Sequence, residues 1–493
     1  MVEAKGFRCE SCLRDRTLDS PLPDSGSCNQ ASGAPQAGGR GKTALDGRLE
    51  DRRSGPNAPG PVSAAWVRDQ LERLAAELPP GQHRRDFELY GTTHAERFAG
   101  LLSEILAHSP PDPSGVLDVG SFPGHFTLLL KRLGYAVAAL AQPLGAHFAV
   151  APYNEALRAA GVPRVECDIE RGYAPLSADA FGAAVFSEVI EHLAFNPFHA
   201  LAEICRVLKP GGRLWLTTPN LASARYVLRL LRGRSIGVPI DSPWSEAFPT
   251  ARGLKHEREY TAEEIRRFFS PGDRHAYGFD QPRIEFRNWL GDTPGALGPR
   301  ARRIESTITR LFRRFDNTLL ATAVKPAGLR LFTPAELALE GEWGPPADPL
   351  TEVRFPCPSP YPYPFRYLRG EATISFQMPE GWPPPERPTR LLLPWVWHVT
   401  EPPLPDQPVA VEEINAAKQP AGAAAPVRFL VRPDRDMRIV SIPLGKRPPE
   451  AAREVRLRFR PERPVRPDDI LGNGDRVFTG PALAEAHWAL RCE

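Results

Sequence analysis

Glu188, Glu191 and His192 stand within one short run, FSEVIEHL (186–193), and a further imidazole, His256, follows in LKHEREYTAEEI (254–265). Two carboxylates and two imidazoles can take the proton from a hydroxyl acceptor, or hold a divalent ion such as Mg²⁺ or Mn²⁺ that does so. Glu188 and Glu191 are three apart and Glu188 and His192 four apart, so a helix here would place all three on one face. Three arrangements stay open. His192 is a single general base, or the four residues form a metal site, or Glu191 and His192 only cap and order a helix.

A second stretch, VLDVGSFPGHFTLLL (116–130), is built to hold a ligand. An apolar run ends in a turn bounded by Gly120 and Gly124, and a helical repeat follows at once. Phe122 occupies the place where a dinucleotide loop has its second glycine, so the backbone cannot approach a pyrophosphate. The Lys-Ser/Thr pair of a phosphate-binding loop is also missing. What remains is Asp118, a tight turn carrying Ser121, and a free helix N-terminus that attracts a carboxylate. Asp118 can accept from an ammonium group. A ligand with an amino acid end satisfies both.

The elements that must position these residues alternate. The pattern predicts strands at 116–120, 135–140, 164–168, 182–187 and 212–218, with helices at 124–133, 151–160, 197–208 and 221–232 between them. Such alternation means an α/β parallel sheet with helices on both faces. Runs 283–290 and 318–326 add an edge pair. Two helices, 64–78 and 94–108, lead in. After Pro326 the texture changes: short β-type runs at 371–378, 390–397, 427–433, 437–444 and 454–460 lie between Pro/Gly breaks. That pattern predicts an all-β sandwich or jelly roll. Residues 1–60, rich in Gly, Ser, Pro and Arg, are expected to be disordered. The expected division is therefore 1–60, then 61–328 with a helical lead-in over 61–110, then 329–493.

VLDVGSFPG, CDIE (167–170), FSEVIEHL, EICRVLKPGGRLWLTTPN (203–220) and LKHEREYTAEEI occur in the order and spacing of a known family. Over roughly residues 90–326 the chain resembles class I S-adenosylmethionine (SAM) dependent methyltransferases, nearest those that look like ubiquinone-pathway O-methyltransferases. The resemblance implies a Rossmann-like seven-stranded sheet. It implies that Asp118, Gly120 and Gly124 hold the methionyl end of SAM. Asp168 would bind the adenine amino group, with Ile169 packed on the ring. Ser187 and Glu188 would face donor and acceptor. Related E-x-x-E-H segments in some members bind metal. Two positions depart from the pattern. Ala141, followed by Gln142, stands where an acid usually grips the ribose, and Gly182 follows Phe181 where Asp is usual.

The remaining features set limits. A net charge of +3 over 493 residues gives no strong nucleic-acid signal. Seven cysteines do not make a disulfide framework, and Cys9, Cys12 and Cys28 fall short of four zinc ligands. The start lacks an apolar signal region, and no run reaches the ~18 apolar residues of a membrane span, so the expected location is cytoplasmic. GPRARRIESTITRLFRRF (298–315) is a basic amphipathic helix. It is read first as a lid whose apolar face packs on the sheet, and second as a contact to an anionic membrane surface. Trp343, Trp382, Trp395, Trp397 and Trp488, with Tyr361, Tyr363 and Tyr367, are either core or a carbohydrate surface. Together these features lead to the expectation of O-methylation of a saccharide, a glycolipid or a small hydroxylated metabolite, with a place in polysaccharide biosynthesis. A decayed, non-catalytic scaffold and a metal-dependent RNA ribose methyltransferase are the alternatives.

Overall fold

The computed structural model describes residues 61–492 apart from 144–150, 195, 237–255, 290–298, 345, 347–362, 381–386, 397–406, 422–425, 432–436, 446–452 and 463–480. Residues 1–60, with Cys9, Cys12 and Cys28, lie outside the described residues, as do Tyr361, Trp382 and Trp397.

Apolar runs between glycine turns and helical repeats build the first sheet from β1 (Val116–Val119), β2 (Val137–Ala141), β3 (Arg164–Glu166), β4 (Phe181–Ser187), β5 (Leu208–Pro219), β6 (Asp280–Arg287) and β7 (Thr318–Val324). Their spatial order is β3-β2-β1-β4-β5-β7-β6. The first five pair in parallel, and β7 runs antiparallel to both β5 and β6. The order reverses between β1 and β4, and the crevice beyond their carboxyl ends is where such sheets take ligands.

Helices cover both faces. One core holds α1 (Ala64–Glu77), α2 (Gln82–His108) and α3 (His125–Arg132) against the sheet. The other holds α5 (Pro197–Val207) and α7 (Ala262–Phe269). The remaining helices among the described residues are α4 (Ala151–Ala159), α6 (Ala224–Leu230) and α8 (Pro299–Leu311). Local signals start several of them. Asn196 caps α5 by accepting from the His199 amide, with Pro197 at the first helical position. Thr261 and Glu264 form a reciprocal capping box on α7. Helix α2 begins twelve residues before the 94–108 expected, running straight through Gly91-Thr92-Thr93. The reason is packing: a Cβ on Gly91 would lie 2.8 Å from Leu71 Cδ1, so glycine lets α2 sit close on α1.

The C-terminal region is all-β and antiparallel. It comprises β8 (Leu329–Phe332), β9 (Ala338–Trp343), β10 (Phe365–Gln377), β11 (Thr389–Val396), β12 (Gln407–Glu413), β13 (Val427–Val431), β14 (Arg438–Gly445), β15 (Glu454–Pro461), β16 (Ala482–Ala484) and β17 (Trp488–Cys492). Strand β10 joins both layers, pairing with β16 near its start and with β9 and β15 further on. Between the layers the Trp395 ring of β11 lies 5.6 Å from Phe459 of β15 and 5.2 Å from Phe429 of β13. Trp395, Trp488 and Tyr363 are buried, so these aromatics form core and offer no carbohydrate platform. The region also packs on the α/β sheet: Leu329, Leu331, Leu392 and Ala489 share one apolar cluster with α5.

Candidate active site

The turn after β1 is fixed by sterics. Gly120 has φ +82°, and a Cβ there would sit 2.3 Å from Val189 Cγ2. Gly124, φ +100°, begins α3. The Gly120 and Ser121 amides donate to the Leu140 carbonyl of β2 at 2.8 and 3.2 Å. Ser121 is buried, and its Oγ has no hydrogen-bond partner among the described residues. Asp118 is buried and accepts from Thr127. Burial pushes its carboxyl up to about 6 despite that bond. Beyond β2, Ala141 is buried and Gln142 half-buried. Beyond β3, Asp168 Oδ1 accepts from the Glu170 amide at 3.1 Å, and Ile169 is buried beside it. Gly182 lies at the start of β4, opposite the ligand end. A Cβ there would meet Ser114 Oγ at 2.3 Å, so its departure from Asp answers local packing and leaves the crevice untouched.

The helix expected through EVIEHL is absent. Glu188 adopts a left-handed φ of +54°, and only a single 3₁₀ turn follows, Ile190–His192. The four candidates therefore split. Glu188 turns toward α2, where its carboxylate pairs with buried Arg97 at 3.1 Å. It also accepts from Thr217 at 2.9 Å, and Thr217 bonds Ser187 at 2.7 Å. Glu188 thus serves an ion pair and is not a free base.

Glu191, His192 and His256 do come together, with one ligand-type atom from each within 4.8 Å of the others. The cause is in the backbone: the Glu257 and Arg258 amides both donate to the Glu191 carbonyl, at 2.7 and 3.2 Å. That ties the loop before α7 to the turn after β4. The two imidazoles lie 4.8 Å apart at 84°. Glu191 is fully buried; one carboxyl oxygen accepts from Thr218 at 2.9 Å and the other has no partner among the described residues. Burial, then the Glu188 carboxylate, pushes its pKa well up. Burial alone would lower His256, but the Glu259 carboxylate at 2.6 Å raises it above its ordinary value. A buried, unsatisfied carboxyl oxygen facing two imidazoles is a donor set that suits a divalent cation.

Several contributors went unseen in the sequence. Arg97 and Tyr90, bonded at 3.2 Å, come from α2, which reads as a lead-in. Glu259 links His256 to Tyr226 of α6, whose hydroxyl donates to it at 3.1 Å. Thr217 and Thr218 had a signal, the TTPN block at the end of β5. Helix α8 corrects another expectation. It contacts α6, with an Arg225–Glu305 pair at 3.2 Å, and its apolar row does not pack on the sheet. Ile304, Leu311 and Phe312 are exposed, alongside Val227, Leu230 and Leu231.

The strand order, the glycine turn closing β1 and the polar cluster closing β4 define a class I SAM-dependent methyltransferase domain. Residues 90–272 match the family model described as a methyltransferase domain. Ubiquinone biosynthesis O-methyltransferase, mitochondrial, of Rattus norvegicus is 34% identical over 143 residues, 28% of this chain and 40% of that protein. The Homo sapiens counterpart is 34% identical over the same length, with 38% of it covered. The match thus spans about two fifths of these curated relatives. Among solved structures, a SAM-dependent methyltransferase from Archaeoglobus fulgidus is 17% identical, covering 50% of this chain and 100% of that one at a TM-score of 0.32. Phosphoethanolamine N-methyltransferase 2 of Haemonchus contortus, in complex with SAM, is 13% identical, covering 54% and 57% at a TM-score of 0.31.

Proposed function

We propose that the protein transfers the methyl group of SAM to a hydroxyl of a saccharide, glycolipid or small hydroxylated metabolite. The observation that carries this reading is the meeting of Glu191, His192 and His256 at the turn after β4, the strand that neighbours β1. The amino acid end of SAM would lie on the turn, with Asp118 and the Ser121 hydroxyl, which has no partner among the described residues, as polar contacts. Arg97 would hold Glu188 away from the acceptor. Alignment of donor and acceptor supplies most of the rate, up to ~7–11 kcal/mol. His192 takes the hydroxyl proton, because His256 is already engaged by the Glu259 carboxylate at 2.6 Å. O-directed transfer is supported by the relatives' printed names. Where a divalent ion is present, Glu191, His192 and His256 would hold it, and it would lower the pKa of the acceptor hydroxyl.

Calorimetric titration of SAM and S-adenosylhomocysteine, with and without Mg²⁺ or Mn²⁺, tests the cofactor. Micromolar binding is expected, and no binding at millimolar ligand would leave a scaffold. H192A is expected to lower methyl transfer by ~10²–10⁴-fold at unchanged S-adenosylhomocysteine affinity. A metal-dependent gain with defined stoichiometry would favour the ion.

The acceptor is reached from an anionic lipid surface in this reading. Segments 224–236 and 299–316 hold ten arginines against Glu305 and Asp316, in a chain of net charge +3. Between them stand exposed Leu231 (78%) and Leu311 (67%). An apolar centre with a cationic rim suits an anionic bilayer. Tyr226, on the same helix, reaches Glu259 beside His256. Cosedimentation with phosphatidylcholine vesicles is expected only when phosphatidylglycerol is added, and is expected to fall with salt and with L311S/F312S. Binding to neither vesicle would sink this part.

A further inference from the structure

The loop from Cys167 to Leu176 carries Asp168 and Ile169, and it is held from outside the α/β sheet. One set of bonds comes from α5. His199 Nε2 bonds the Gly172 carbonyl at 3.0 Å, and Glu203 accepts from the Ala174 amide at 2.8 Å. Arg206 donates to the Ala174 carbonyl at 3.0 Å and to Glu203 at 2.6 Å. A second set comes from the turn between β16 and β17. The Tyr173 hydroxyl donates to the Glu485 carbonyl at 3.1 Å, and the Tyr173 ring meets His487 edge-on at 4.9 Å. His487 also reaches back, with Nε2 2.8 Å from the Glu203 carboxylate. Glu203 and His487 are both buried. Burial would raise the Glu203 carboxyl, but the bonds from Arg206 and His487 outweigh it and hold it down to about 2. The carboxylate is therefore ionised, and His487 is the donor.

We infer that the C-terminal β region is part of the cofactor site: Tyr173, Glu203 and His487 are positioning residues that hold the Asp168–Ile169 loop in shape for an adenine ring. The inference rests on the reading that SAM binds here. A loop ordered before the ligand arrives saves the ligand that ordering, so releasing the loop weakens binding. The loss must fall on the adenine end, since the glycine turn holding the other end is tied to β2 and Val189 and shares none of these bonds.

Three full-length variants, Y173F, H487F and H487Q, test this with three probes by calorimetry. The probes are S-adenosylhomocysteine, methylthioadenosine (adenine without the amino acid end) and S-inosylhomocysteine (the same end with a changed base). Loss of one buried hydrogen bond is expected to weaken the two adenine ligands alike, by about tenfold. The preference for adenine over hypoxanthine should narrow together with it. H487Q, which can still donate to Glu203, should recover most of the loss. D118N gives the opposite signature, weakening S-adenosylhomocysteine while sparing methylthioadenosine. Wild-type affinities and wild-type base preference in folded Y173F and H487F would overturn the inference. Should H487F fail to fold, Y173F decides, because it removes one hydroxyl and leaves the buried Glu203–His487 pair intact. A wild-type protein that binds none of the probes would overturn the methyltransferase reading and this inference with it.

Discussion

Gly120 admits no side chain, because its left-handed backbone and Val189 at 2.3 Å from any Cβ each forbid one. G120A is expected to lower stability by ~1–3 kcal/mol and abolish S-adenosylhomocysteine binding, read by thermal melting and calorimetry. V189A should restore part of the stability but not the strain. Asp118 sets a pH dependence. Its folded pKa is raised to about 6, so below that value it holds a proton. An ammonium ligand selects the carboxylate, and affinity should fall by up to tenfold per pH unit below about 6. D118N should bind weakly with a flat profile. The residues of this turn were legible because each answers a local demand of the chain. Arg97 was not, since its role comes from a contact with Glu188 ninety-one residues later.

At the scale of elements, the cap of α7 does double work. Thr261 and Glu264 close the box that starts the helix, and the loop they anchor carries His256 to the turn after β4. T261A is expected to lower stability by about 1 kcal/mol in denaturant melts. It should also weaken any Mn²⁺ binding, because His256 loses its footing. A T-x-x-E signal is local and could be read directly. The EVIEHL turn could not. Strand β4 runs to Ser187, Glu188 turns with a left-handed φ of +54°, and Asn196-Pro197 starts α5, so the segment between makes one 3₁₀ turn and no α-helix. The three- and four-residue spacings that suggested a helix were satisfied instead by a backbone that swings Glu188 one way and His192 another. Strands β8, β9, β12, β16 and β17 escaped the sequence for a related reason. They are short, lie among prolines or charges, and exist because longer strands offer them an edge.

Across the whole molecule, buried histidines set the response to acid. Burial lowers His94, His199 and His275 to about 3 and His125 to about 4. Each folded pKa lies below the unfolded value near 6.5, so the unfolded chain takes up protons that the folded one refuses. Stability is therefore full above about 6.5 and is lost as pH falls below it. Melting temperatures should drop between pH 7.5 and 5. H275F, which keeps the 4.4 Å stack on Phe198, should make the drop shallower. The α/β sheet, its strand sequence and the change to β after Pro326 were open to sequence reasoning because hydrophobic period survives without contacts. The seam between the two sheets was not, since His199 and His487 read as ordinary positions until the fold brings them 4.9 Å apart. That seam has a consequence in time. About 160 residues separate the end of β7 from Trp488, which a ribosome adds in ~8–30 s at ~5–20 residues per second. Until then the nascent chain has its glycine turn but lacks the strands that brace the Asp168–Ile169 loop, so the growing polypeptide can fold the α/β sheet well before that loop is held in shape.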